Sequence, residues 1–198
     1  LVLTGLLAVW KANKTFTTMD PSLPVERRHA ILSELGEDTV VLTDSSEAQS
    51  FAPYDTYILD AMLHEADGSH VLPSPHSLSD PAYVFFTSGS SGTPKGVVVR
   101  HSAIALSLSD VSATMGLDNT TRMLQFATCT FDTSLLESFA TLIAGGCVCL
   151  PAPNQRLDGN LGHAINQLRA SHLVLTPTVA GLLSSQELPG VESLMLVG

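Results

Sequence analysis

Basic residues are scarce in this chain: 9 Lys and Arg stand against 19 Asp and Glu, a formal net charge of −10. A surface of that sign repels a polyphosphate backbone, which argues against broad nucleic-acid binding. A local phosphate site built from backbone N–H groups and one lysine remains compatible with it. Cysteine is scarcer still. Cys129, Cys147 and Cys149 show neither C-x-x-C spacing nor a neighbouring His pair, so no metal site can be read. No apolar run is long enough to span a bilayer, because Leu1–Trp10 has about half the needed length. That run also lacks the basic start and small-residue cleavage site of a secretory signal. It is expected to be a buried helix of a cytosolic protein with no membrane association. The seven histidines show no ligand or triad spacing. No serine sits in a Gly-x-Ser-x-Gly elbow, so hydrolase chemistry lacks support.

Apolar content, by contrast, is ample. The 44% of hydrophobic residues can fill a sizeable core and exceed what a disordered tail carries. A helix over 1–12 and an extended stretch at 16–19 lead to a turn at Asp20-Pro21. Pro24 suits the first turn of a helix ending near Leu35, with Gly36 placed to cap it. Thr39–Leu42 reads as a strand. Residues 44–81, rich in Ser, Pro, Asp and His, read as an irregular surface stretch with one short strand near 57–59. Farther on, the spacing predicts strands at 82–86, 97–100, 123–126, 147–150, 172–175 and 193–197. Helices are predicted over 102–115, 134–144, 161–170 and 179–184. Ser134 and Glu137 have capping-box spacing, and Leu135, Phe139, Leu142 and Ile143 share one stripe that predicts a buried face. Gly145-Gly146 ends that helix. Cys147 and Cys149, two apart, fall on one face of a strand and are expected to be core thiols in a reducing compartment. Alternation of this kind argues for an α/β fold of mainly parallel sheets flanked by helices.

The chemistry concentrates between residues 87 and 96. Gly89, Gly92 and Gly96 permit close backbone approach, and Thr87, Ser88, Ser90, Ser91 and Thr93 supply hydroxyl donors. Consecutive N–H groups in such a loop form an anion-binding concavity, and Lys95 adds a point charge for phosphate. A Walker A loop is excluded, because Lys95 stands between Pro94 and Gly96 rather than in a Gly-Lys-Ser/Thr ending. A plain Gly/Ser turn between two strands is the competing reading.

Thr-Ser-Gly-Ser-Ser-Gly-Thr-Pro-Lys-Gly at 87–96 resembles the signature loop of the AMP-forming adenylating superfamily, which includes acyl-CoA synthetases, luciferases and adenylation domains. Trp10 to Pro21, followed by Pro24 and Arg27, resembles the Leu-Lys-Ala-Gly-x-Ala-Tyr-Val-Pro-Ile-Asp-Pro segment of nonribosomal peptide synthetases. Asn13 and Thr18 depart from that pattern. Phe131-Asp132-Thr133-Ser134 resembles the Phe-Asp-x-Ser element of the same branch, and Leu175-Thr-Pro-Thr178 its Leu-Thr-Pro-Ser turn. The wording around Gly145-Gly-Cys-Val-Cys and Pro151 is similar to fungal synthetases.

The resemblance implies part of the N-terminal subdomain of an adenylation domain, truncated at both ends. It implies that Thr87 through Lys95 hold the phosphates of ATP with Mg²⁺, whose ligands lie mostly elsewhere, while an amino acid carboxylate is adenylated. Asp132 would pair with the substrate's α-ammonium group, although on its own residues it reads equally as a helix-start aspartate. Thr133, Leu136, Val174, Met195 and Val197 would line the side-chain pocket, which favours an uncharged substrate. Leu136, Val174 and Val197 also suit plain core. The partners implied are a carrier (thiolation) domain bearing phosphopantetheine and a condensation domain. Because the Tyr-Gly-Pro-Thr-Glu segment, the ribose-binding aspartate and a C-terminal lysine are missing, the 198 residues alone are expected to be inactive. An acyl- or aryl-CoA ligase and a non-catalytic nucleotide-binding module are the alternatives.

Overall fold

The structure, a computed structural model, describes residues 1–51, 54–62, 77–88, 94–157 and 160–198. The chain divides into two compact units, Leu1–Ala103 and Ile104–Gly198. No helix among the described residues is long and apolar enough to cross a membrane.

The first unit opens with α1 (Val2–Lys11), whose buried residues are Gly5 and Leu6. Leu1, Val2 and Leu7 are exposed, so the opening run is not buried as a whole: only one stripe of it is covered. Helix α2 (Val25–Leu35) follows Pro24, which sits in the extended region at φ −51° and ψ 143° just before the helix. Gly36 ends α2 at φ +95°, a conformation that favours glycine. Strands β1 (Val41–Thr43) and β2 (Thr56–Ile58) pair in parallel. Between them lies a 3₁₀ turn at Ala48–Phe51, and β2 runs straight into α3 (Leu59–Met62). Leu32, Val41 and Phe51 form a core cluster here, with Met19, Leu35 and Tyr54 packed against it. Strands β3 (Pro81–Ser88) and β4 (Pro94–Arg100) form an antiparallel hairpin.

The second unit is built on a parallel sheet of order β6-β5-β7-β8. Its strands are β5 (Arg122–Leu124), β6 (Cys147–Cys149), β7 (His172–Leu175) and β8 (Ser193–Leu196). Side chains alternate between the two faces. Leu124, Cys149, Leu173 and Leu175 pack with Leu161 and Ile165 of α7 (Leu161–Leu168). Met123 and Val174 pack on the other face with Val111 and Met115 of α4 (His101–Met115). Covering both faces is what a parallel sheet requires, and it explains the unbroken burial of β7. The shorter helices are α6 (Pro153–Leu157) and α8 (Pro177–Ala180). Thr176 caps α8 through its side chain, so this helix begins before the predicted 179–184 segment.

Three expectations are corrected in this unit. Helix α5 is made of Thr133–Leu135, a π-helical turn Leu136–Ala140 and Thr141–Ile143. A π turn inserts an extra residue, which shifts the face presented beyond it. Leu142 and Ile143 are accordingly 44% and 72% exposed, while Ala140 and Thr141 are buried. Ser134 lies inside the helix and its hydroxyl donates to the Phe131 carbonyl at 2.7 Å, so the expected capping box does not form. Cys149 is a core thiol, but Cys147 is exposed. It begins an edge strand, and a shared face does not ensure shared cover there.

Gly146 joins α5 to β6 with no room for a side chain. A Cβ there would stand 2.9 Å from the Thr121 carbonyl oxygen and 3.0 Å from that of Asp118. The Thr121 oxygen also accepts the Cys147 N–H at 2.8 Å, so it cannot retreat without losing that bond. Gly146→Ala is expected to destabilise the chain by about 1–3 kcal/mol, measurable by denaturant unfolding; an unchanged midpoint would contradict this packing.

Candidate functional site

The hairpin carries the first group of predicted site residues. Its ladder pairs Thr87 with Lys95 and Ser88 with Pro94, so the strands run farther than the predicted 82–86 and 97–100. Cross-strand pairing continues wherever the register allows, and composition alone does not show where it stops. Gly89, Ser90, Ser91, Gly92 and Thr93 lie outside the described residues. Directly opposed residues share a face, so Thr87 and Lys95 project on the same side, both exposed. Gly96 lies within β4 opposite Phe86. A Cβ on it would meet Val84 Cγ1 at 3.1 Å and Phe86 Cε1 at 3.3 Å, so a side chain here would press on both neighbours.

The stem is fastened from the side. Val84 donates its N–H to the Phe16 carbonyl at 2.8 Å, and the Trp10 indole N–H donates to the Ala82 carbonyl at 2.9 Å. The Phe16 ring stacks on Tyr83 at 5.8 Å and lies 5.3 Å from that of Trp10. Near the turn, Arg27 Nη2 donates to the Thr87 carbonyl at 3.5 Å. The 10–21 segment and Arg27 thus act as supports for the hairpin.

The second group lies in the other unit. Asp132 stands at the N-cap position of α5, but its side chain makes no capping hydrogen bond. Its backbone carbonyl accepts from Leu135 N at 2.8 Å while the side chain is exposed. The helix-start reading therefore does not occupy this carboxylate. Thr133 and Leu136, half-buried, are one turn apart on α5. Val174, Met195 and Val197 come together with Met115 and Met123 in one apolar cluster, Val174 fully inside it. The structure thus gathers the predicted residues into two sets, one on α5 and one on the β7–β8 face. A shallow hollow elsewhere on this unit, lined by Ile165, Asn166, Arg169, Ala170, Pro189 and Gly190, contains none of them. Among the described residues no group of three or more His, Cys, Asp or Glu is placed to hold a metal ion.

One residue of the site region was misread from sequence. Glu137 is fully buried, 0% exposed. Its carboxylate accepts the N–H groups of Phe126 and Ala127, each at 3.0 Å, and the Gln125 amide at 3.2 Å. Arg156 Nη2 in turn donates to Gln125 Oε1 at 2.7 Å. Ser-x-x-Glu spacing suggested a cap, and no local pattern around Glu137 marks it as an acid that points inward. Burial raises the Glu137 carboxyl from 4.5 to about 7, against the backbone N–H groups, the Gln125 amide and the Arg156 charge, which all favour the ionised form.

The AMP-binding enzyme family matches residues 2–198, and the chain belongs to that family. It is 39% identical over 197 residues to nonribosomal peptide synthase roqA of Penicillium rubens, covering 98% of this chain and 8% of that protein. It is 40% identical over 198 residues to AM-toxin synthetase AMT1 of Alternaria alternata, covering 98% of this chain and 4% of that one. The chain thus spans under a tenth of these relatives. The AMPPNP-bound crystal structure of the nonribosomal peptide synthetase FmoA3 superposes with a TM-score of 0.84 at 24% identity, covering 98% of this chain and 21% of that chain.

The raised Glu137 pKa has a definite sign. Between 4.5 and about 7 the folded chain binds the proton that the unfolded chain has released. The contribution is therefore fully present below 4.5 and is lost as pH rises through 7, by about 3 kcal/mol. Denaturant unfolding of wild type and Glu137→Gln across pH 4.5–8 should show the difference between them moving by about that amount. A constant difference would contradict it.

Proposed function

We propose that the chain is part of the N-terminal subdomain of a nonribosomal peptide synthetase adenylation domain and serves to activate an amino acid with ATP. The amino acid carboxylate attacks the α-phosphate, and a carboxylate-oxygen–phosphorus bond forms. The bond from the α-phosphorus to the bridging oxygen breaks, and its electron pair leaves with pyrophosphate. A phosphopantetheine thiol on a neighbouring carrier domain then displaces AMP, and a condensation domain receives the product, in the cytoplasm.

The observation that carries this reading is the β3–β4 hairpin, with Thr87 and Lys95 on one face at the stem of a Gly/Ser/Thr turn, in a chain matching the family over 2–198. The AMPPNP bound to FmoA3 supports nucleotide as the ligand. Thr87 to Thr93 would supply donors to the phosphates, and Lys95 would offset charge as pyrophosphate forms. Gly96 would keep the stem closely packed behind them. Mg²⁺ would neutralise phosphate charge when bound; the described residues offer no cluster of three or more His, Cys, Asp or Glu for it. Asp132, exposed and not engaged as a cap, would receive the α-ammonium group. Thr133, Leu136, Val174, Met195 and Val197, small-polar or apolar, would line the pocket for an uncharged side chain.

The test is amino-acid-dependent ATP–pyrophosphate exchange by the complete synthetase. Lys95→Ala is expected to lower kcat/KM for ATP by about 100-fold. Asp132→Ala should raise the amino acid KM by about 100-fold or more while leaving exchange measurable, whereas an acyl-CoA ligase would tolerate it. The isolated 198 residues should show no exchange. ATP binding by the complete protein without exchange for any amino acid would favour a non-catalytic module.

A further inference from the structure

The arc from Phe126 to Asp132 joins β5 to α5, and one side chain ties its two ends. Glu137 belongs to the helix that Asp132 begins, yet its carboxylate reaches back to the start of the arc. Oε2 accepts from Phe126 N, Ala127 N and Gln125 Nε2, while Oε1 takes only a second, longer contact from Ala127 N at 3.2 Å. Gln125 Nε2 also donates to the Ala127 carbonyl. Arg156 reinforces the same point from α6, donating to Gln125 Oε1 at 2.7 Å and to the Phe126 carbonyl at 3.4 Å. At the far end, Ser134 donates both its N–H and its hydroxyl to the Phe131 carbonyl, at 3.1 and 2.7 Å. The Asp132 carboxylate makes no capping bond and takes no part in this bracing.

We propose that Glu137 is a positioning residue for amino-acid recognition: with Gln125 and Arg156 behind it, it fixes the arc that presents Asp132. The proposal rests on the assignment of Asp132 to the ammonium group. Three N–H donors converge on one buried oxygen, and removing it takes the side-chain acceptor from the Phe126 and Ala127 N–H groups and one of the two acceptors from the Gln125 amide. The arc then samples other conformations, and apparent affinity falls with the fraction of time Asp132 is correctly presented. The β3–β4 hairpin contributes no residue to this network, so nucleotide binding is left alone. An amide can replace the carboxylate, because its single oxygen can take the place of Oε2.

Exchange kinetics of the complete synthetase test this, with KM measured separately for amino acid and ATP. Glu137→Ala should raise the amino acid KM on the order of 10-fold or more while Glu137→Gln restores it. The ATP KM should change by less than about 2-fold in both variants, and in an Asp132→Ala background Glu137→Ala should add less than about 2-fold. If Glu137→Ala does not fold, Arg156→Ala, which loosens the brace from outside the buried oxygen, should show the same pattern at about 3-fold. Equal rises in both KM values, or effects that multiply fully with those of Asp132→Ala, would overturn the positioning role. An unchanged amino acid KM in Asp132→Ala alone would instead sink the assignment of Asp132 and the positioning role with it.

Discussion

A carboxylate removed from water must be supplied with N–H donors, and much of the second unit is arranged around that requirement at Glu137. The backbone leaving β5 turns two successive N–H groups toward it, which sets the direction of the chain beyond Phe126. The helix carrying it contains a five-residue π turn, and Glu137 lies within that turn. Low local polarity strengthens each of these bonds and makes any unmade one costly. A network with those properties specifies a single arrangement of strand end, arc and helix start. Apolar packing of the same segment would tolerate several.

The parallel sheet imposes the other constraint. Both of its faces must be covered, so residues that serve as core and residues that could touch a substrate come from the same apolar stock. Val174 is enclosed with Met115 and Met123, whereas Met195 and Val197 lie half-open at the margin of that cluster. The two readings open for these positions are therefore not rivals. A rigid sheet face is a wall on whichever side it meets something, and its rigidity comes from the packing behind it.

Much of this was legible in the residues. Helix α2, bracketed by Pro24 and Gly36, and strand β7, apolar over Leu173–Leu175, were plain because local signals decide them. A break between two strands near residues 87–96 was plain because a segment so dense in Gly, Ser and Thr is rare inside one strand, although the strands themselves reach Ser88 and Pro94. Other features depend on information that no local window holds. Ser134-x-x-Glu137 fits a capping box and an inward-reaching acid equally well, and only the fold of β5 beside it chooses. The π turn has no periodic signature, so the exposure of Leu142 and Ile143 was hidden. Cys147 and Cys149 obey the same alternation, yet their different cover follows from β6 lying at the sheet's edge, a fact of strand order. Gly96 was grouped with the phosphate loop by composition; its contact with Phe86 emerges only once the register is known.

Strand order also bears on how the chain comes together in time. β3 and β4 are paired neighbours separated by five residues of chain, and hairpins close in about 1–10 μs. The β5–β6 and β5–β7 pairings instead require about twenty and nearly fifty residues of intervening chain to be gathered first, which slows them markedly. The hairpin also precedes the parallel sheet along the polypeptide, so it leaves the ribosome first. Its intrinsic pairing can therefore be established while the strands of that sheet are still being synthesised.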